Sequence, residues 1–109
     1  MTVLRDFQLV GQDLYAGGLN NSHSGNMSVR NNRMMAITRS GSMLHRLEYS
    51  DIIETLIDGE DAQSVLASRE RPVHRAIYLQ TGAEAIVHAH PPHLIALSLY
   101  CRSFMPVDA

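Results

Sequence analysis

Apolar positions at the start of the chain follow a helical period. Val3, Phe7, Val10 and Leu14 fall at i, i+4, i+7 and i+11, which places them on one face of a helix. The Gly17–Gly18 pair that follows predicts the end of this helix. The chain therefore opens with an amphipathic helix whose apolar face needs a partner.

Short strand-like segments come next. Met27–Arg30 and Arg33–Thr38 are predicted strands, and Asn31–Asn32 between them suits a tight hairpin turn. Asp51–Ile57 alternates weakly and is followed by Asp58–Gly59, which predicts a third strand with a turn after it. This part of the chain is therefore predicted to form a sheet.

The second half alternates between helix and strand. Ser68 is predicted as the N-cap of a helix that runs to Gln80, with Glu70 in its first turn and Gly82 after its end. Ala85–His90 predicts a strand, and a Pro-Pro break opens a helix over His93–Cys101. The order helix, strands, helix, strand, helix predicts a layered α/β or α+β fold.

Composition narrows the classes of function. Charged residues make up 18% of the chain and apolar residues 45%, as in an ordinary folded domain, so we expect residues 1–109 to form one domain. The net charge is −2 and no basic patch is dense, which argues against nucleic acid or an anionic membrane as a partner. The chain has nine Arg and no Lys, so it offers no lysine amine for Schiff-base chemistry.

The cellular compartment is predicted from the cysteine content, the N-terminal residues and the length of the apolar runs. Cys101 is the one cysteine and excludes a disulfide within the chain. Residues 1–6 lack the pattern of a signal peptide, and no apolar run approaches the roughly 20 residues of a membrane span. We therefore expect a cytoplasmic protein.

The segment 87–93, VHAHPPH, has the strongest chemical character. Residues two apart in a strand point to the same face, so His88 and His90 are expected to project side by side at the strand's end. Neutral imidazoles in this arrangement suit one divalent ion such as Zn²⁺. Two histidines that only form hydrogen bonds near a surface loop are the alternative. His93 is out of phase with the pair and is expected to begin the next helix.

Two imidazoles do not complete a zinc site, which usually has three protein ligands. Glu70, at the start of a predicted helix, is a candidate for the open coordination position of the metal. His23, His45 and His74 are further candidate ligands. A carboxylate at a helix start also serves the helix dipole alone, so both roles stay open for Glu70.

Three small polar loops offer hydroxyl groups and free backbone N–H groups. Such loops and helix N-termini bind phosphate, and Arg69 in the third loop could add a forked positive charge. None is a P-loop or a dinucleotide-binding fingerprint, and ordinary turns contain the same residue types. The loops are Ser24–Ser28, Thr38–Ser42 and Ala67–Glu70.

Taken in order, these segments resemble the class II aldolase/adducin family, closest to its fuculose-phosphate aldolase branch. The resemblance covers essentially the whole chain and implies a three-layer α/β/α fold around a central mixed sheet. It also implies a homotetramer with active sites at subunit contacts. The segments are Gly25-Asn26-x-Ser28, Thr38-x-Ser40-Gly41, Ser68-x-Glu70-x-x-x-His74 and His88-x-His90-x-x-His93.

The resemblance implies roles for individual residues. His88 and His90 would bind Zn²⁺ or another divalent cation, and Glu70 would be the catalytic acid/base and approach the metal. The implied reaction is retro-aldol cleavage of a ketose 1-phosphate to dihydroxyacetone phosphate and an aldehyde, with the metal as Lewis acid. The substrate phosphate would be held by Gly25, Asn26, Ser40, Gly41, Ser68 and Arg69.

The chain departs from the family pattern in two ways. Arg69 stands where the fuculose-phosphate aldolases have a second serine. The family's third zinc histidine and a C-terminal tyrosine implicated in proton transfer lie beyond Ala109. We therefore expect these residues to be the N-terminal part of the domain, with an incomplete site of their own.

Other members of the same family are the alternatives. A 4-epimerase typically carries Asp at the position of Glu70, whereas a metal-dependent dehydratase of a methylthio-ketose phosphate keeps Glu there. A non-catalytic, adducin-like interaction domain would lose the zinc ligands, and this chain keeps His88 and His90. These residues favour the aldolase, with the dehydratase as the main alternative.

Overall fold

The computed structural model describes residues 2–92, 94, 95 and 99. Short 3₁₀ helices at Leu44–Arg46, Tyr49–Asp51 and Ser64–Leu66 lie in the connections. The main elements are α1 (Thr2–Ala16), β1 (Asn26–Asn31), β2 (Met34–Thr38), β3 (Ile52–Leu56), α2 (Arg71–Gln80) and β4 (Ala85–His88).

The apolar face of α1 is confirmed except at one position. Phe7 is buried, but Val10 is 38% exposed, and the buried position one turn after Phe7 is Gly11. A Cβ at Gly11 would lie 1.8 Å from the carbonyl oxygen of Leu44. The missing side chain therefore lets the helix contact the Leu44 backbone directly, and Val10 turns outward.

A hairpin joins β1 to β2, with its turn one residue later than predicted. The strands pair antiparallel from Ser28 opposite Ile37 to Asn31 opposite Met34. The turn residues are thus Asn32 and Arg33 rather than Asn31 and Asn32. Asn32 has a φ of 57°, a left-handed conformation that asparagine tolerates better than most residues.

The described strands form one sheet in the order β3-β2-β1-β4. Every pair among them is antiparallel. The parallel component expected for a mixed sheet is therefore not among the strands that the structure describes. The chain leaves the sheet at β3, crosses through α2 and returns at the opposite edge as β4, so that Asn26 of β1 faces His88.

The two faces of the sheet carry separate apolar clusters. Ile37 and Ile53 pack with Tyr78 of α2 on one face. Met27 packs with Phe7 of α1 on the other. Because neighbouring strand residues point to opposite faces, β1 contributes Met27 to the α1 side and Ser28 to the α2 side. The sheet thus lies between two helices, which confirms the predicted three-layer α/β/α class.

Helix α2 begins at Arg71, not directly after Ser68 as predicted. The Ser68 hydroxyl accepts the N–H of Glu70, and the Ser68 carbonyl accepts the N–H of Arg71. A turn therefore precedes the helix, and Glu70 takes the N-cap position without a capping bond from its side chain. Pro72 follows in the first helical turn, where proline costs little.

The buried Arg71 side chain ties the start of α2 to the turn after β3. Its guanidinium donates to the carbonyl oxygens of Leu56 at 2.8 Å and Gly59 at 2.7 Å. It also forms an ion pair with Glu60 at 3.0 Å. These contacts fix where the helix begins.

Strand β4 ends at His88, two residues before the predicted end. The backbone N–H of His90 donates instead to the Leu19 carbonyl and to the Asn20 side chain, each at 2.9 Å. Residues 92, 94 and 95 are helical, and most of the helix predicted over His93–Cys101 lies outside the described residues. Across the ranges described, no helix has both the length and the apolarity that a bilayer span requires.

Candidate active site

One end of the sheet carries an open cleft of about 390 Å³. The start of β1, the end of β2, the turn before α2 and the end of β4 meet around it. The structure thereby brings together the residues to which the family resemblance gave a role in metal binding, phosphate binding or catalysis. Those lining the cleft are Gly25, Asn26, Ser40, Gly41, Ser68, Arg69, Glu70, His88 and His90.

Backbone hydrogen bonds join the loop after β2 to the turn before α2. The N–H of Ser68 donates to the Thr38 carbonyl at 2.9 Å, and the N–H of Ser40 donates to the Leu66 carbonyl at 3.0 Å. Gly41 has a φ of 78°, and a Cβ there would meet nothing within 4 Å. Two of the three polar loops therefore form one wall of the cleft.

Gly25 and Asn20 connect the first polar loop to the end of β4. Gly25 has a φ of 85°, and a Cβ there would lie 2.5 Å from the Asn20 amide nitrogen and 2.6 Å from the His88 carbonyl oxygen. Asn20, 7% exposed, accepts the N–H of His90. Sequence reasoning missed Asn20, because an asparagine in a polar loop gives no sign of burial.

The His88 and His90 rings lie side by side, although β4 ends at His88 and His90 lies outside the strand. Their centroids are 4.8 Å apart and their planes differ by 27°. His88 is half-buried and His90 is exposed, and both line the cleft.

The donor chemistry of this pair suits a divalent metal ion, but the described residues do not supply a full set of ligands. Zinc binds imidazole nitrogens and carboxylate oxygens, which His88, His90 and Glu70 provide around the same cleft. No three His, Cys, Asp or Glu side chains within the described ranges are grouped closely enough to hold an ion. The metal site predicted from the sequence therefore stays a prediction.

The remaining histidines have other surroundings. His45 stacks on Tyr15 with ring centroids 3.9 Å apart. His74 is buried and hydrogen-bonded through both ring nitrogens, which leaves neither free for an ion. His23 reaches the cleft, with its Nδ1 hydrogen-bonded to the Ser22 hydroxyl. His93 lies outside the described residues.

Five side chains form a hydrogen-bonded series from the core to the cleft, which we call the buried polar chain. It runs Tyr78–Ser28–His74–Asn26–His88. The Ser28 hydroxyl lies 2.7 Å from the Tyr78 hydroxyl and 2.6 Å from Nδ1 of His74. Nε2 of His74 lies 2.5 Å from Oδ1 of Asn26, whose Nδ2 is 3.2 Å from Nδ1 of His88.

Burial determines the charge state within this chain. The pKa of His74 is lowered to about 4, chiefly by desolvation and also by the nearby His88, while Glu70 partly opposes both effects. Burial also raises the pKa of the Tyr78 hydroxyl. Both side chains are therefore neutral at pH 7.

Sequence reasoning named Asn26 as a phosphate-binding residue, His74 as a possible ligand and Ser28 as part of a motif, but it missed the chain that they form. Two spacings carried the signal. Asn26 and Ser28 are two apart on a strand, and His74 and Tyr78 are four apart on a helix. Each pair shares one face, and the two faces meet in the α2 layer. The Asn26 amide is thus bonded on both sides, and its predicted phosphate contact stays a prediction.

Comparison with known proteins identifies the family. Residues 5–108 match the model of the class II aldolase and adducin N-terminal domain. The chain is 37% identical over 87 residues to L-fuculose phosphate aldolase of Escherichia coli, covering 79% of this chain and 40% of that one. It is 34% identical over 93 residues to a probable bifunctional methylthioribose-1-phosphate isomerase/methylthioribulose-1-phosphate dehydratase of Nocardia farcinica, covering 80% and 16%.

The fold leads to the same family. The crystal structure of L-fuculose-1-phosphate aldolase from Thermus thermophilus superposes with a TM-score of 0.86 at 40% identity, covering 97% of this chain and 55% of that one. The chain thus spans about half of that structure and less than half of the two relatives above. By sequence and by fold, the chain belongs to the class II aldolase and adducin N-terminal domain family.

Proposed function

We propose that this chain forms the substrate cleft of a metal-dependent lyase that cleaves a ketose 1-phosphate of the fuculose-phosphate type. The products are dihydroxyacetone phosphate and an aldehyde. The observation that carries the proposal is the convergence of the three polar loops, Glu70, His88 and His90 on one cleft. The similarity to fuculose-phosphate aldolases supports the same reaction.

The wall of the cleft formed by Ser40, Gly41 and Ser68 suits the substrate phosphate. The loop after β2 and the turn before α2 offer hydroxyls and backbone N–H groups next to a helix N-terminus, which favours anions. Arg69 adds a positive charge at the same wall. Gly25 and Asn26 line the same cleft, beside His88.

Glu70 is suited to move a proton. It stands at the N-cap of α2, its side chain makes no capping bond, and it lines the cleft with His88. Its carboxylate would take up and return the proton at the carbon next to the cleaved bond. A divalent ion held by His88, His90 and a third ligand from outside the described residues would supply Lewis-acid stabilisation of the ketose oxygens.

The proposed substrate class, compartment and oligomeric state follow from the family resemblance. The partner is a small phosphorylated sugar, with neither nucleic acid nor membrane involved. We expect a cytoplasmic homotetramer in which residues outside this chain complete the metal site.

A sugar-phosphate dehydratase is the second candidate. The similarity to the bifunctional methylthioribose-1-phosphate isomerase/methylthioribulose-1-phosphate dehydratase of Nocardia farcinica favours it, and so does the glutamate at position 70. Both reactions begin from a ketose 1-phosphate, so the cleft serves either.

Product analysis of the whole protein tests the proposal. Zn²⁺-loaded protein is incubated separately with L-fuculose 1-phosphate and with methylthioribulose 1-phosphate. Dihydroxyacetone phosphate is assayed by coupled reduction, and loss of water by mass spectrometry. We expect dihydroxyacetone phosphate from the first substrate. A dehydrated product alone would establish the dehydratase instead, and no product from either would contradict both.

A further inference from the structure

The buried polar chain admits two directions for its protons. Two members, His74 and Asn26, limit the hydrogen bonds to these two directions. His74 is neutral and carries a single N–H, so one ring nitrogen donates and the other accepts. The Asn26 amide offers an acceptor on one side and a donor on the other. The direction at one end of the chain therefore dictates the direction at the other.

In the first direction, protons point from the core toward Asn26. Tyr78 donates to Ser28, Ser28 donates to Nδ1 of His74, and Nε2–H of His74 donates to the Asn26 oxygen. The Asn26 NH₂ then donates to Nδ1 of His88. A neutral His88 must therefore hold its own proton on Nε2.

In the second direction, every bond is reversed. A half-turn of the Asn26 amide exchanges an oxygen and a nitrogen of nearly equal size, so the packing is unchanged. Nδ1–H of His88 donates to the Asn26 oxygen, and the Asn26 NH₂ donates to Nε2 of His74. His74 then donates through Nδ1–H to Ser28, and Ser28 donates to Tyr78. Nε2 of His88 is left with a free lone pair.

Only the second direction is compatible with a metal ion on Nε2 of His88. A ring nitrogen that carries a proton cannot bind a metal, and Nδ1 is engaged by Asn26 in both directions. Metal-binding histidines commonly donate their other N–H to a fixed acceptor. We propose that Asn26 is a positioning residue, and that metal binding through Nε2 of His88 reverses the buried polar chain, changing the tautomer of His74. This rests on the proposed function, since it requires a metal at His88.

The reversal has a cost that the metal must supply. In the second direction the Tyr78 hydroxyl no longer donates to Ser28, and Tyr78 is 1% exposed. A buried donor that loses its acceptor is unfavourable. Removing the need for reversal should therefore tighten metal binding.

Nuclear magnetic resonance of the whole protein, with ¹⁵N-labelled histidine, tests the coupling directly. Long-range ¹H–¹⁵N spectra distinguish the two tautomers of each ring, and the variants His74→Gln and His88→Gln assign the signals. Without metal we expect both rings as Nε2–H. With saturating Zn²⁺ as the probe, both should change to Nδ1–H, although His74 does not touch the ion.

The outcomes separate this inference from the proposed function. Zinc bound at His88 with His74 still as Nε2–H would overturn the inference alone. Zinc bound through Nδ1 of His88 would do the same. Failure of the protein to bind zinc would overturn the inference together with the metal-dependent function.

The Asn26→Asp variant provides a second test. A carboxylate accepts from Nε2–H of His74 and from Nδ1–H of His88 at once, so no reversal is needed. We expect zinc affinity, measured by calorimetry at pH 8, to rise about tenfold. The variant's His74 should stay Nε2–H with zinc bound.

Asn31→Asp is the matched control, because it adds the same charge to β1 at an exposed position away from the cleft. Equal tightening in both variants, or a His74 ring that still changes tautomer in Asn26→Asp, would contradict the coupling.

Discussion

Adjacent residues in the first polar loop serve different purposes. Gly25 is required by geometry, since it combines a left-handed φ with close contacts to Asn20 and His88. Asn26 is required by chemistry, since its amide joins the rings of His74 and His88. The family resemblance suggested both as phosphate-binding residues. The structure adds a packing role for Gly25, and we propose a positioning role for Asn26.

Replacing Gly25 by alanine should destabilise the protein more than replacing Gly41. Both have positive φ, and a left-handed alanine costs about 1–2 kcal/mol at either position. Only the Gly25 Cβ also meets neighbouring atoms closer than 3 Å. Urea unfolding of Gly25→Ala and the control Gly41→Ala measures the difference. Equal decreases in the free energy of unfolding would show that the atoms around Gly25 move aside without an energetic penalty.

Replacing Glu70 by glutamine should leave zinc bound and lower turnover. We expect a decrease of roughly 10²–10⁴, the usual range for loss of a general acid/base. Glu54→Gln is the control, because Glu54 is an exposed residue of β3. Turnover and zinc content are measured on the whole protein. A near-normal rate in Glu70→Gln would exclude this carboxylate from proton transfer.

At the scale of elements, hydrogen bonds between loops build the cleft. Strand β2 and the turn before α2 are linked through the Thr38 carbonyl and the N–H of Ser68. The loop after α1 is linked to the end of β4 through Asn20. The wall that suits phosphate thus depends on two loops that are far apart in sequence and adjacent at one end of the sheet.

Replacing Ser40 or Ser68 by alanine should weaken binding of a phosphonate analogue of the substrate. A lost hydrogen bond to a charged group predicts a decrease in affinity of about tenfold for each. Ser50→Ala, an exposed serine outside the cleft, is the control. Affinities are measured by competition against turnover. Unchanged affinity in both variants would contradict the assigned phosphate wall.

The elements themselves were largely predictable, because apolar period and turn residues are local signals. The period and the turn residues identified α1 and the strands, with strand ends displaced by one or two residues. It could not reveal that Gly11 replaces Val10 on the buried face, since that depends on the Leu44 backbone. The start of α2 was predicted too early because Ser68 caps a turn rather than the helix. The strand after Gly82 was predicted too long because His90 bonds to the loop after α1.

At the scale of the whole molecule, the three layers were implied by the family resemblance, but the contacts between layers were not predicted. Which strand edge receives β4 is decided by long-range packing. The buried polar chain lies where β1, α2 and β4 meet, so it could not be predicted from any single segment of the sequence. Candidate residues could be listed from motifs, whereas the hydrogen bonds between them could be identified only from the fold.

Burial of His74 makes the stability of the whole molecule depend on pH. Its pKa is about 4 in the folded protein against 6.5 as the reference value, so the unfolded state binds more protons between these limits. The free energy of unfolding should therefore fall as pH is lowered from 7 toward 4, and this contribution should level off below both values.

Denaturant unfolding at several pH values measures this slope. His74→Gln should lose part of this dependence of the unfolding free energy on pH. His23→Gln, which alters an exposed histidine, should keep the full dependence. An unchanged slope in His74→Gln would assign the acid sensitivity to other groups.

The anchoring of Arg71 has a consequence for how this cleft could change its chemistry over evolutionary time. Glu70 lies between Ser68, bonded to the end of β2, and Arg71, bonded to the turn after β3, so its backbone has little freedom to shift. The reach of its carboxylate is then set by side-chain length alone. An aspartate here would withdraw the charge by one methylene, and the main chain could not follow it. A new reaction at this position therefore requires a substrate that comes closer, not a loop that moves.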